Sequence, residues 1–172
     1  MKKLIVALLA VAALAAPTAT AATGQRPAAA DPSIVRTAIA VDSSGPYAGQ
    51  FDTLICLVAN NPAVLSLLSQ KGQYTVFAPT DAAFAQIGVT DSNCAALAPT
   101  VTNILAYHVA KGRRAAADVV SSTRIRMLNG QTTTISAAGG SCYVNDAKII
   151  VTDVFASNGV IHAVDHVLLP PA

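Results

Sequence analysis

The chain has 172 residues, of which 53% are hydrophobic and 12% charged, and its formal net charge is +2. So small a charge excludes nucleic-acid binding, or capture by a polyanionic surface, driven by the field of the whole chain. The length suits one domain with a sizeable core.

The first element in chain order is a targeting segment. Lys2 and Lys3 precede an uninterrupted apolar run over residues 4–16, which Pro17 breaks. Ala19-Thr20-Ala21 then supplies the small residues that a signal peptidase requires. The run is shorter than the ~20 residues of a membrane-spanning helix. Residues 1–21 therefore read as a secretory signal peptide cleaved near Ala21. The rest reads as a protein that is secreted, periplasmic or at the cell surface, with no transmembrane segment. Losing Lys2 and Lys3 from the 11 basic residues leaves nine against nine acids, all of them Asp. Residues 22–48 begin rich in Ala, Thr, Pro and Gly and read as a flexible linker and lead-in. The domain proper is expected over 49–170.

Phe51, Leu54, Ile55 and Val58 fall at i, i+3, i+4 and i+7 and predict an amphipathic helix over 51–59. Asn61-Pro62 is an N-cap with a first-turn proline and opens a second helix to residue 68. A short strand is expected over 74–78. Thr80 caps the next helix, with Asp81 favourably placed in its first turn. Pro99 opens another helix, which carries Ile104, Leu105 and Tyr107. Residues 111–123 form a polar connection with a short helical piece near 116–120. From Arg124 the pattern becomes stranded: 124–128, an Asn129-Gly130 hairpin turn, 131–136, 142–144 and 148–154. Ser157-Asn158-Gly159 then turns into a long apolar strand toward Pro170. About six strands and four or five helices, segregated from a mainly antiparallel meander, make the class α+β.

The three cysteines are Cys56, Cys94 and Cys142. In an exported protein two are expected to pair, leaving one over. Their spacing matches no zinc pattern. At ~100° per residue, Cys56 lies roughly 150° from the apolar stripe of its helix, within reach of a neighbouring loop. Cys94 sits in a loop-like stretch, TDSNC. Cys56–Cys94 is the preferred pair and Cys94–Cys142 the alternative. The spare thiol leaves either a monomer or a covalent dimer.

The candidate chemistry concentrates in NGVIHAVDHVLLP, residues 158–170, where His162, Asp165 and His166 interrupt an apolar run. Buried polar groups are costly unless hydrogen-bonded, so His162 and Asp165 read as internal ties, as do Thr80 and Asp81 at their helix start. On a strand, His162 and His166 lie ~13 Å apart at ~3.3 Å per residue, too far to share one ion. No metal and no cofactor is expected. The chain has no GxSxG elbow, and no catalytic residue is assigned. Tyr107-His108 reads as a core aromatic beside a hydrogen-bonded imidazole, with a recognition patch as the sharper alternative. Arg113, Arg114, Arg124 and Arg126, with Lys111, form a candidate basic patch. Such charges usually mark a solvated edge, and an acidic ligand is the alternative.

Four segments in order carry a family resemblance: TVFAPTDAAF at 75–84, NILAYHVAKG, RMLNGQ followed by VNDAKIIVTDVFASNG, and NGVIHAVDHVLLP. Together they resemble the fasciclin-like domains over nearly all of 49–170. The resemblance implies a wedge-shaped β sandwich of short strands with helices packed around one end. It also implies a non-enzymatic adhesion or interaction module that binds a cell-surface, matrix, glycan or lipid partner. In animal relatives, integrin binding is attributed to positions that fall here on Tyr107, His108, Asp153 and Val154, the last standing where those relatives have isoleucine. Two other functions are kept beside this one. One is an extracytoplasmic carrier of a small apolar ligand, with a pocket near Tyr107. The more remote one is a hydrolase.

Overall fold

The computed structural model describes residues 33–171. The expected signal peptide and the start of the lead-in lie outside the described residues. Seven strands follow in chain order: β1 (Tyr74–Pro79), β2 (Val109–Lys111), β3 (Arg124–Arg126), β4 (Thr132–Ala138), β5 (Ser141–Val144), β6 (Ala147–Ala156) and β7 (Gly159–Val164). They lie side by side in the order β2-β1-β7-β6-β5-β4-β3. The helices are α1 (Ile34–Ser43), α2 (Asp52–Ala59), α3 (Pro62–Ser69), α4 (Asp81–Ala85), α5 (Cys94–Leu97), α6 (Thr102–Tyr107) and α7 (Ala116–Ser121). The architecture is α+β, a wedge-shaped β sandwich with helices around one end.

The meander is antiparallel from β3 through β7. Departing from that pattern, β1 pairs with β7 in parallel, Tyr74 opposite Gly159 and Pro79 opposite Val164. These two strands are covered on both faces, which is why their sequences are almost unbroken apolar runs. Val76, Ala78, Ile161 and Ala163 face a core shared with the helices. Phe77 and Val164, one residue out of phase, face a second core with Tyr107, Ile125, Val144 and Leu168. The ends of the sheet meet. Ala110 bridges Met127, and the Leu128 N–H donates to the Val109 carbonyl at 2.8 Å. Both edge strands are thereby shielded along a seam.

Three elements depart from the sequence expectations. Helix α1 lies within the stretch read as a flexible lead-in. Ile34 and Thr37 are buried, and the Ile34 N–H donates to Asn158 Oδ1 at 2.8 Å. Strand β2 was not expected, because three residues directly after a helix carry no readable period. The loop-like TDSNC stretch leads directly into α5, whose first residue is Cys94. The disulfide joins Cys56 on α2 to Cys94 on α5. Cys142 is free and half-buried, and burial pushes its thiol pKa up.

The final strand is also shorter than expected. It ends at Val164, because the next residues pair differently. The Thr80 N–H takes the Val164 carbonyl, and the Asp165 N–H donates to the Lys148 carbonyl. The strand starts at Gly159 for a steric reason. A Cβ there would run into the Tyr74 carbonyl oxygen and Ile34 Cδ1. Only glycine lets β7 approach β1 this closely.

Candidate functional site

The polar residues of β7 and its neighbours are arranged around backbone groups. His162 is fully buried and stacks on Phe77, with ring centroids 5.8 Å apart. Its Nε2 lies 2.9 Å from the Arg114 carbonyl, and its Nδ1 accepts from the Asp153 N–H at 3.2 Å. A carbonyl can only accept, so the proton sits on Nε2 and the ring is neutral. Burial lowers its pKa, outweighing the opposing effects of the Arg114 carbonyl and Asp153.

His108 is the mirror case. Its Nδ1 faces the Ile104 carbonyl at 2.8 Å, and its Nε2 accepts the Leu168 N–H at 2.9 Å. Here the proton sits on Nδ1. Burial pulls the pKa down to about 4 against the smaller opposing pull of the Ile104 carbonyl. Among the described residues neither imidazole has a hydroxyl or thiol partner, so neither is placed there to activate a nucleophile. Tyr107 is only 1% exposed and His108 2%. The Tyr107 hydroxyl donates to the Thr132 carbonyl at 3.3 Å and accepts from Asn145 Nδ2 at 3.1 Å. Both residues lie inside the fold and offer no surface to a partner.

Asp153 sits at an irregularity of β6 with φ +60°. That left-handed backbone is unusual outside glycine. It turns the carboxylate onto the start of α7, where Oδ1 accepts the Ala116 N–H at 2.8 Å. Val154 is half-buried and packs against the helix-side core. The pair singled out by resemblance is thus largely engaged within the molecule.

The same contacts clamp the loop that follows β2. The Thr75 hydroxyl donates to the Gly112 carbonyl at 2.8 Å and accepts the Arg114 N–H at 3.0 Å. His162 holds the Arg114 carbonyl and Asp153 the Ala116 N–H, so three strands fix one loop. The basic patch divides here. The Arg113 guanidinium lies over the Phe155 ring, 4.8 Å from its centroid. Arg114 instead lines a groove of about 460 Å³ at the seam, together with Lys111 and Arg126. Arg124 is exposed on β3 and does not line it.

The remaining expected ties are helix caps and strand pins. Thr80 Oγ1 accepts the Ala83 N–H at 3.4 Å. Asp81 does something the sequence did not suggest: its Oδ1 caps α2 from outside, accepting the Thr53 N–H at 2.9 Å. Asp165 Oδ1 accepts the Lys148 N–H at 2.8 Å and lies 2.7 Å from His166 Nδ1. Burial raises the Asp165 pKa, but these hydrogen bonds outweigh it and hold the carboxyl below its ordinary range. Asn158 was missed as more than a turn former. Its side chain accepts from Ile34 and donates to the Leu68 carbonyl at 2.6 Å, joining α1 to α3.

Two apolar cavities lie between α1 and the sheet, of about 20 Å³ and 80 Å³, and Tyr107 lines neither. Ligand pockets usually run from roughly 300 Å³ upward. Among the described residues no group of three or more His, Cys or acidic side chains is placed to hold a metal ion. No single described helix is long and apolar enough to cross a membrane.

Comparison with known proteins agrees with this geometry. The Fasciclin domain family profile matches residues 49–170. The chain is 42% identical over 127 residues to protein sll1483 of Synechocystis, covering 70% of this chain and 68% of that one. It is 31% identical over 153 residues to the immunogenic protein MPB70 of Mycobacterium bovis, covering 77% and 78%. Among solved structures it is similar to the FAS1 domain pair of the insect cell adhesion molecule Fasciclin I, with a TM-score of 0.63 and 16% identity. That match covers 81% of this chain and 51% of the pair, so the chain spans about half its length, and the likeness is one of fold.

Proposed function

The chain belongs to the fasciclin domain family, and from that premise we propose that it is an exported, non-enzymatic interaction module. It works outside the cytoplasm and binds a component of a cell surface or matrix through its outer loops. Residues 49–170 are the module, with α1 packed on it as an extension.

One observation carries this reading. Both buried imidazoles, the groups best suited to chemistry, have their two nitrogens committed to backbone partners. What stays available lies outside, on the loops. Export is supported by the leader-like first residues and by the Cys56–Cys94 disulfide, a bond that persists in oxidising compartments. Fasciclin I, whose fold this chain shares, is a cell adhesion molecule. The carrier alternative needs an apolar pocket several times larger than either cavity beneath α1.

The test is retention of the exported chain by cell-surface and matrix fractions. Saturable retention, with no hydrolysis of ester or glycoside substrates, is expected. Turnover that His108→Gln abolishes in a folded protein would overturn the reading, as would a stoichiometric apolar ligand carried through purification.

A further inference from the structure

The groove at the seam is where the sheet closes on itself. Lys111 and Arg114 come from the β2 side, and Arg126, Met127, Leu128 and Gly130 from the β3–β4 side. Lys111, Arg114 and Arg126 all line it, and no carboxylate does. Among the described residues none of the three forms an ion pair. Arg114 Nε is buried and has no hydrogen-bond partner. Buried donors are rarely left orphaned, and one beside two other unpaired cations points to an acceptor supplied from outside. The whole chain carries almost no net charge, so this is a local concentration and not a general field.

The groove is also rigidly built. The Arg114 backbone is gripped on both sides, by the Thr75 hydroxyl and by His162. Its guanidinium is therefore presented from a fixed base. Guanidinium forks match planar oxyanions in two-point contacts. Leu128, half-buried, lines the same groove and gives it apolar wall, while Met127 is nearly inaccessible at 3% and belongs to the second core. At about 460 Å³ the groove is larger than a bare inorganic anion needs, and cations beside an apolar wall suit a ring with a charged substituent.

We propose that the seam groove binds an acidic sugar residue of a polyanionic glycan, with Arg114, Arg126 and Lys111 holding its carboxylate and Leu128 packing against the ring. The proposal rests on the interaction role above and names its ligand class. His162 is a positioning residue in it, acting through the Arg114 backbone.

The test is calorimetric titration of the exported chain with a short oligogalacturonate, a neutral galactose oligomer and inorganic sulfate. Saturable one-to-one binding of the uronate alone is expected. Arg126→Gln and Lys111→Gln should each weaken it roughly ten-fold, the scale of one charge-assisted hydrogen bond. Both side chains are exposed, so these variants keep the unfolding midpoint. Arg113→Gln and Arg124→Gln, outside the groove, should stay within about two-fold of the parent, since neither contacts the ligand. Arg114→Lys keeps the charge but should still weaken binding, because the fork is lost. Absence of uronate binding overturns the proposal. So does equal weakening by the outside variants, which means a diffuse field, or sulfate binding as tight as the uronate, which means a small-anion site. Retention on surface fractions separates the two levels. If Arg126→Gln is retained like the parent, the groove assignment falls and the interaction role stands. If the parent itself is not retained, the interaction role falls.

Discussion

His108 and His162 lie in the interior with both ring nitrogens paired, while Lys111, Arg114 and Arg126 lie at the seam with no ion pair among the described residues. The two regions are physically joined, since His162 grips the backbone of Arg114. The interior holds the loop still, and the loop presents charge to solvent. The lesson is that the residues that stand out in an apolar sequence need not be the ones that meet a partner. A polar group inside an apolar strand is there because its hydrogen bonds are complete. A cation without a partner at a groove is the feature free to bind.

Breaking the interior should destroy stability, while breaking the seam should destroy only binding. The largest effect is expected from Gly159→Ala, which drives a Cβ into the backbone of β1. A loss of more than about 3 kcal/mol, read from urea unfolding, is expected, because backbone cannot yield as a side chain can. Removing the disulfide with Cys56→Ala and Cys94→Ala opens a connection of sequence separation 38 and should remove roughly 2–4 kcal/mol.

Acid sharpens the contrast further. Burial lowers the His108 pKa to about 4 in the fold, against its ordinary value of 6.5. On acidification the unfolded chain takes up the proton first, so stability is full above pH 6.5 and falls as pH drops toward 4. About 3 kcal/mol should be lost across that window, measurable as a falling urea midpoint, and His108→Gln should flatten the slope. His162 is shifted in the same direction and adds to the effect. His162→Ala, leaving the Asp153 N–H and Arg114 carbonyl without their partner, should lower stability by ~1–3 kcal/mol at neutral pH. The smallest stability effect is expected at the seam, where Arg126→Gln should stay within about 0.5 kcal/mol while uronate binding falls.

Much of the fold was legible because its signals are local. Apolar periodicity placed α2, and Asn61 and Thr80 marked helix starts through caps that form in the fold. The face that Cys56 occupies on α2 favoured Cys56–Cys94 over the alternative Cys94–Cys142, and the first is the pair that forms. What was missed depends on distant partners. Helix α1 holds its place through Asn158, 124 residues away. Asp81 reads as a first-turn acid of its own helix and in addition caps α2. The parallel pairing of β1 with β7 leaves no trace in either strand beyond the absence of alternation. The groove was half visible. The basic residues stood out, but their division into Arg113 over Phe155 and Arg114 at the seam is decided by a loop clamped from three strands.

The most direct measurement is nitrogen-15 NMR of the imidazole rings as a function of pH. Two neutral rings of opposite tautomer are predicted at pH 7, His108 protonated on Nδ1 and His162 on Nε2, with His108 staying neutral until the pH approaches 4. If either ring titrates at the ordinary value near 6.5, or averages between tautomers, those imidazoles are open to solvent, and the division between a closed interior and a binding seam does not hold.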